Sequence, residues 1–155
     1  MAKSQTGETG IQVAGVKALL RALNKIPKDL QNDVRDASQR IATDIVTGAK
    51  NASHTPLQRM VAGGLVARRD RVPVVKTAGT VGAGVPTRDV FYGAEFGGGR
   101  RPTTQQFPTH KGTQGYFLYP YIRSHSIGYS EIWGDAIDKA FKDWDNQSAR
   151  HSDGD

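Results

Sequence analysis

Apolar residues at Val16, Leu19, Leu20, Leu23 and Ile26 recur at steps of three and four, the spacing of one helical face. Pro27 ends that pattern and suits the first position of a following helix. From there Leu30, Val34, Ala37, Ile41, Ile45 and Ala49 hold a single apolar stripe, with Asp29, Asp33, Arg35, Asp36 and Arg40 on the wet face between them. Asp29 and Asp33 suit the positive end of a helix dipole and Lys50 the negative end. The pattern predicts a long helix over about residues 28–52, stopping before Thr55-Pro56.

The middle of the chain is less regular. Leu57 to Arg71 is ambiguous: Met60, Val61, Leu65 and Val66 are apolar, but Gly63-Gly64 weakens a helix there. Val72, Val74 and Val75 predict a strand, pushed toward an edge by Pro73. Thr80, Val81 and Val85 predict a second strand across a turn at Gly79. Val90, Phe91, Tyr92, Ala94 and Phe96, rich in aromatic and β-branched residues, predict a third. Gly97 to Arg101 and Pro102 break it, and no period follows as far as Gly115. Tyr116 to Tyr119 return to strand-like composition up to Pro120. Ile132, Trp133, Ala136, Ile137, Ala140, Phe141 and Trp144 then share a helical face, capped by Ser126 or Ser130, and the end from Gln147 reads as a frayed tail.

Strands grouped between helices favour an α+β fold: a small antiparallel sheet with a long amphipathic helix and a C-terminal helix packed on it. The expected organisation is a flexible segment at 1–14, a single domain at 15–145 with a long loop at about 97–115, and a flexible tail at 146–155.

Composition narrows the choices. The 155 residues suit one domain, and a hydrophobic share of 37% leaves it a small core. The chain has no cysteine, which excludes disulfides, thiolate metal sites and cysteine nucleophiles. No apolar run approaches the roughly 18 residues of a membrane span, and Met1 to Gly10 lacks the apolar stretch of a signal peptide. These features point to assembly in the cytoplasm. The net charge of +6 is uneven: residues 54–126 hold ten basic and three acidic residues, whereas 127–155 hold three and seven. The basic middle suits nucleic acid or an acidic protein surface, and the acidic end argues against a simple DNA-coating protein.

Catalytic patterns are missing. His54, His110, His125 and His151 show no mutual ligand spacing, and neither a nucleophile elbow nor a phosphate-binding glycine loop occurs. Glu95 is a lone acid in an apolar stretch, and its expected partner is an arginine or a backbone amide. Phe91, Tyr92, Tyr116 and Tyr119 near basic residues are candidates for base stacking, or for filling the core. No enzyme activity, metal or cofactor is expected.

One pair of segments goes further. Phe91-Tyr92-Gly93-Ala94-Glu95-Phe96-Gly97, a variable loop, Tyr116-Phe117-Leu118-Tyr119-Pro120-Tyr121-Ile122 and then an amphipathic helix resemble the signature of the head–tail joining proteins of long-tailed bacteriophages, also called neck or tail-component proteins. The upstream helix ending in Ala49-Lys50-Asn51-Ala52 resembles that family too, so the likeness covers roughly residues 27–145. Where the family commonly has Pro-x-x-Thr-Gly-x-Leu, this chain has Pro56-Leu57-Gln58-Arg59-Met60 and then Gly63-Gly64-Leu65.

The resemblance implies a virion protein, a homo-oligomeric ring of six or twelve copies around the DNA channel of the neck. Its neighbours would be connector or stopper proteins and the tail tube or terminator. A tail terminator ring is the alternative within that class, and a non-specific nucleic-acid-binding protein the alternative outside it. Interface candidates are Phe91, Tyr92, Glu95, Phe96, Arg100, Arg101, Phe107 and Lys111. Arg68, Arg69 and Arg71 are candidates for contact with channel DNA or an acidic partner. The loop at 97–115 is expected to order only on assembly, since fixing its backbone costs about 1–2 kcal/mol per residue.

Overall fold

The long apolar stripe folds as expected, into α2 (Gln31–Asn51). It is preceded by α1 (Val16–Leu23) and followed by a short α3 (Pro56–Gly63). This computed structural model describes residues 15–99 and 106–152, so the expected flexible segment at 1–14 and the residues 153–155 lie outside it. Thr55 starts α3 with a capping box: its hydroxyl accepts from Gln58 N–H at 3.1 Å, while Gln58 Oε1 accepts from Thr55 N–H at 3.2 Å. Pro56 occupies the first turn, where its missing N–H costs nothing.

β1 (Leu65–Arg68) and β2 (Val74–Thr77) form one antiparallel pair, and β3 (Thr80–Val81) and β4 (Val85–Pro86) another. The architecture is α+β, with the sheet divided into two two-stranded pieces. The strand expected over Val90–Phe96 is instead a helix, α4 (Thr87–Phe96). Its buried residues, Thr87, Val90, Phe91, Ala94 and Glu95, keep helical spacing, which overrides the β preference of its aromatics. The strand expected at Tyr116–Tyr119 is instead a bend at Tyr116-Phe117 followed by the start of α5 (Leu118–Ser152). Pro120 sits in the first turn of that helix, a position proline tolerates. The expected caps Ser126 and Ser130 therefore lie inside α5, and the expected tail from 146 is helical through Ser152.

α5 spans 35 residues, about 52 Å at 1.5 Å per residue. It runs antiparallel to α2, since Tyr121 meets Asp44 at one end and Lys139 meets Asp33 at the other. Two apolar clusters hold the layers. The larger joins Ile41, Ile45 and Ala49 of α2 to Val61 of α3, Val90 and Phe91 of α4, and Phe117-Leu118. The smaller joins Leu23, Ile26 and Val34 to Ile137 and Ala140, with Trp133 packed against both. Residues 145–152 of α5 are exposed, so the helix runs past the core that nucleates it. Among the described residues, no helix is long and apolar enough to cross a membrane.

Candidate functional site

The two segments that carry the family resemblance meet at Glu95. Its side chain is fully buried at the foot of α5. Oε2 accepts from Leu118 N–H at 3.0 Å and Phe117 N–H at 3.3 Å, and Oε1 accepts from Tyr119 N–H at 2.9 Å. The first N–H groups of a helix have no partner within it, and a carboxylate there also faces the positive end of the dipole. Glu95 thus fills the role of a helix cap from 22 residues or more upstream, and its partners are backbone amides, one of the two expected kinds.

Glycines allow this approach. Gly115 has φ +76°, and a Cβ there would lie 2.1 Å from Glu95 Oε1. Gly97 has φ +79°, and a Cβ there would lie 2.3 Å from Thr109 O. Replacing Gly97 by alanine should therefore cost about 2–4 kcal/mol, from left-handed strain plus the clash with backbone. Gly63→Ala, where nothing lies within 4 Å of the added methyl, should change stability by less than about 1 kcal/mol. Urea unfolding of the two variants side by side measures this, and equal losses would show that the Gly97 approach is not restrictive.

The segment expected to order only on assembly is fastened to its own chain in its described part. Gly98 N–H donates to Pro108 O at 3.0 Å and Lys111 N–H to Phe96 O at 2.9 Å. The Phe107 ring rests on Gly93, where a Cβ would come within 2.4 Å of it. The Tyr116 hydroxyl donates to Thr109 O at 2.5 Å, and Lys111 Nζ lies 4.8 Å from the Tyr116 ring centroid. Phe107 and Lys111 thus serve this subunit's own packing. Arg100 and Arg101 lie outside the described residues.

The aromatic candidates divide by exposure. Phe91 is buried, edge-on to Phe117 at 6.4 Å. Tyr92 is 65% exposed and stacks on Phe96 at 6.1 Å, and Phe96 leans on Tyr119 at 5.1 Å. The result is a short aromatic wall with Tyr92 outermost.

The arginine triplet does not form a free basic patch. Arg69 binds Asp36 at 2.8 Å and Asn32 at 3.2 Å, tying the β1–β2 turn to α2. Arg71 donates to Asn24, and its carbonyl accepts from Trp133 Nε1 at 2.8 Å. Arg68, at the exposed end of β1, has no ion-pair partner among the described residues. Arg69 and Arg71, the expected DNA or partner contacts, thus also make exposed contacts within the chain.

A second cluster escaped the reading of the sequence. Tyr121, His125 and Tyr129 stack in register along α5, with centroids 4.1 and 5.9 Å apart, and both tyrosine hydroxyls donate to Asp44 Oδ2. Their spacing of four is a helical signal, hidden because the helix was expected to begin later. Gly48 lies directly under the Tyr121 ring. Burial, then the hydrogen bond to Asp44, holds the Tyr129 phenol well above its ordinary range. The proton is held more tightly in the folded state, so this contribution is intact below about pH 10 and is lost as pH rises beyond it. Wild type should therefore lose more stability between pH 9 and 11 than Tyr129→Phe does. Parallel thermal melts check this, and an equal alkaline loss in the variant would contradict it.

Among the described residues, no three His, Asp or Glu side chains converge as metal ligands would. Comparison with known protein families, with curated proteins and with solved structures finds no match.

Proposed function

We propose that this chain is a structural subunit of the neck of a long-tailed bacteriophage, one copy of a ring around the DNA channel where the tail joins the head. The observation that carries the reading is the Glu95 junction. The two segments resembling the head–tail joining family, 91–97 and 116–122, are distant in sequence yet form one packed unit in which each distinctive residue has a physical role. Glu95 caps the last helix, Phe96 packs on Tyr119, and Gly97 turns the chain back at positive φ.

Two further features fit a ring subunit. Tyr92, Ile127, Ile132 and Met60 are large apolar side chains left exposed, available for burial against neighbours. The basic middle and acidic end of the chain would attract one another between adjacent copies, a head-to-tail contact of the kind that closes rings. A tail terminator ring draws on the same features.

The test is to delete the gene from the phage that carries it and examine lysates by electron microscopy. Full heads separated from free tails are expected, restored to joined particles by the gene in trans. Normal numbers of infectious, tailed particles without the gene would overturn the reading.

A further inference from the structure

β2 has a partner on one side only. The bond from Ala78 N–H to Gly64 O, at 2.7 Å, sets the phase of the β1–β2 ladder, in which bonded and non-bonded pairs alternate. Val66–Lys76 and Arg68–Val74 are then the bonded pairs, and the N–H and C=O groups of Val75 and Thr77 point away from β1. Among the described residues, nothing hydrogen-bonds to those four groups.

A groove of about 440 Å³ is lined by all three of Val75, Lys76 and Thr77 on this strand. Its buried lining is Leu65, Phe91 and Leu118, and Tyr92 and Tyr119 of the aromatic wall line it as well. Lys76 and Arg88 line it too, and no carboxylate does. Asp89 pairs with Arg88 at 3.4 Å, but both side chains are more than half exposed, and such pairs exchange readily for a better one.

We propose that this groove takes an extended peptide of a partner protein, with acidic and apolar residues alternating, added to β2 as a third strand. Main-chain bonds to Val75 and Thr77 supply the attachment, as in other strand additions. Alternation follows from the pleat. Val66 and Lys76 share the outer face, so a residue of the added strand beside Lys76 meets a cation and an acid fits there. Its neighbours turn inward with Val75 and Thr77, toward Phe91 and Leu118, and apolar side chains fit there. A second copy of this chain pairing edge to edge would bring Lys76 and Arg88 of both copies together, so charge argues for a foreign acidic strand. The proposal stands whether or not the chain belongs to a virion.

The test uses the whole chain, isotope-labelled, and the hexapeptide acetyl-Glu-Val-Asp-Val-Glu-Val-amide, with a counterpart carrying lysine at each acidic position. Nuclear magnetic resonance then follows amide shifts and hydrogen exchange. The acidic peptide should slow exchange of the Val75 and Thr77 amides at least tenfold and leave Lys76, already bonded to β1, little changed. Thr77→Pro, which removes an outward N–H without touching the ladder, should weaken binding at least tenfold. The double variant Lys76→Glu, Arg88→Glu should do the same and come to prefer the basic peptide, and it carries the test should Thr77→Pro fail to fold. Unchanged exchange at millimolar peptide, or equal binding of the two peptides, would overturn the proposal. So would protection of Val75 and Thr77 that grows with protein concentration alone, which would assign the edge to a second copy.

Discussion

Glu95→Ala should be among the most damaging single substitutions in this chain, lowering stability by about 3–5 kcal/mol. Three backbone N–H groups at the buried start of α5 lose a charged acceptor together, and water has no access to replace it. The vacated volume adds a cavity cost. For a chain of this size the melting temperature should fall by roughly 6–20 °C. Glu95→Gln, which keeps an acceptor but loses the charge, should fall between the variant and wild type. Thermal unfolding by circular dichroism measures both. A loss below about 1 kcal/mol in Glu95→Ala would mean that the start of α5 does not depend on this cap.

Ile41→Asp should abolish folding. Ile41 is 3% exposed at the centre of α2, in the cluster that joins α2 to α3, α4, α5 and the strands β1 to β3. A carboxylate there has no partner, and burying it costs several kcal/mol, comparable with the whole stability of a domain. The far-ultraviolet helical signal should collapse at room temperature. A melt matching wild type would show that the α2 stripe faces elsewhere.

What the sequence made legible follows from how local each signal is. The α2 stripe is long and strictly periodic, so both its existence and its inward face were readable. β2 was readable as a short β-branched run, and the acid in the apolar segment as one needing a backbone or arginine partner. The single strand expected over Thr80, Val81 and Val85 is instead two, β3 and β4, paired antiparallel across a turn. α4 was not, because Val90-Phe91-Tyr92 and Phe96 carry β-prone side chains. What makes the segment helical is burial of Val90, Phe91, Ala94 and Glu95 on one face, a tertiary effect. The start of α5 was misplaced for a related reason. Its cap comes from Glu95, far upstream, so the stretch around Pro120 shows no local start signal beyond the proline itself. The capping box Thr55-Pro56-Leu57-Gln58 was a local signal for α3, masked by the glycine pair after it. For the candidate site, the sequence grouped Phe91, Tyr92, Glu95 and Phe96 in one segment but on a strand, where the structure has a helix that buries Phe91 and Glu95 within the subunit. The commitments of Arg69 to Asp36 and Arg71 to Asn24 join residues more than 30 positions apart and leave no trace in spacing.

The reading of this chain as a neck subunit is tested most directly by locating it in the particle. A phage whose only copy of the gene encodes the chain with a C-terminal histidine tag, after Asp155, would be purified, labelled with nickel-coated gold and imaged. The account predicts gold concentrated at the junction of head and tail. Purified infectious particles without label, with the tagged chain left in the lysate, would contradict it.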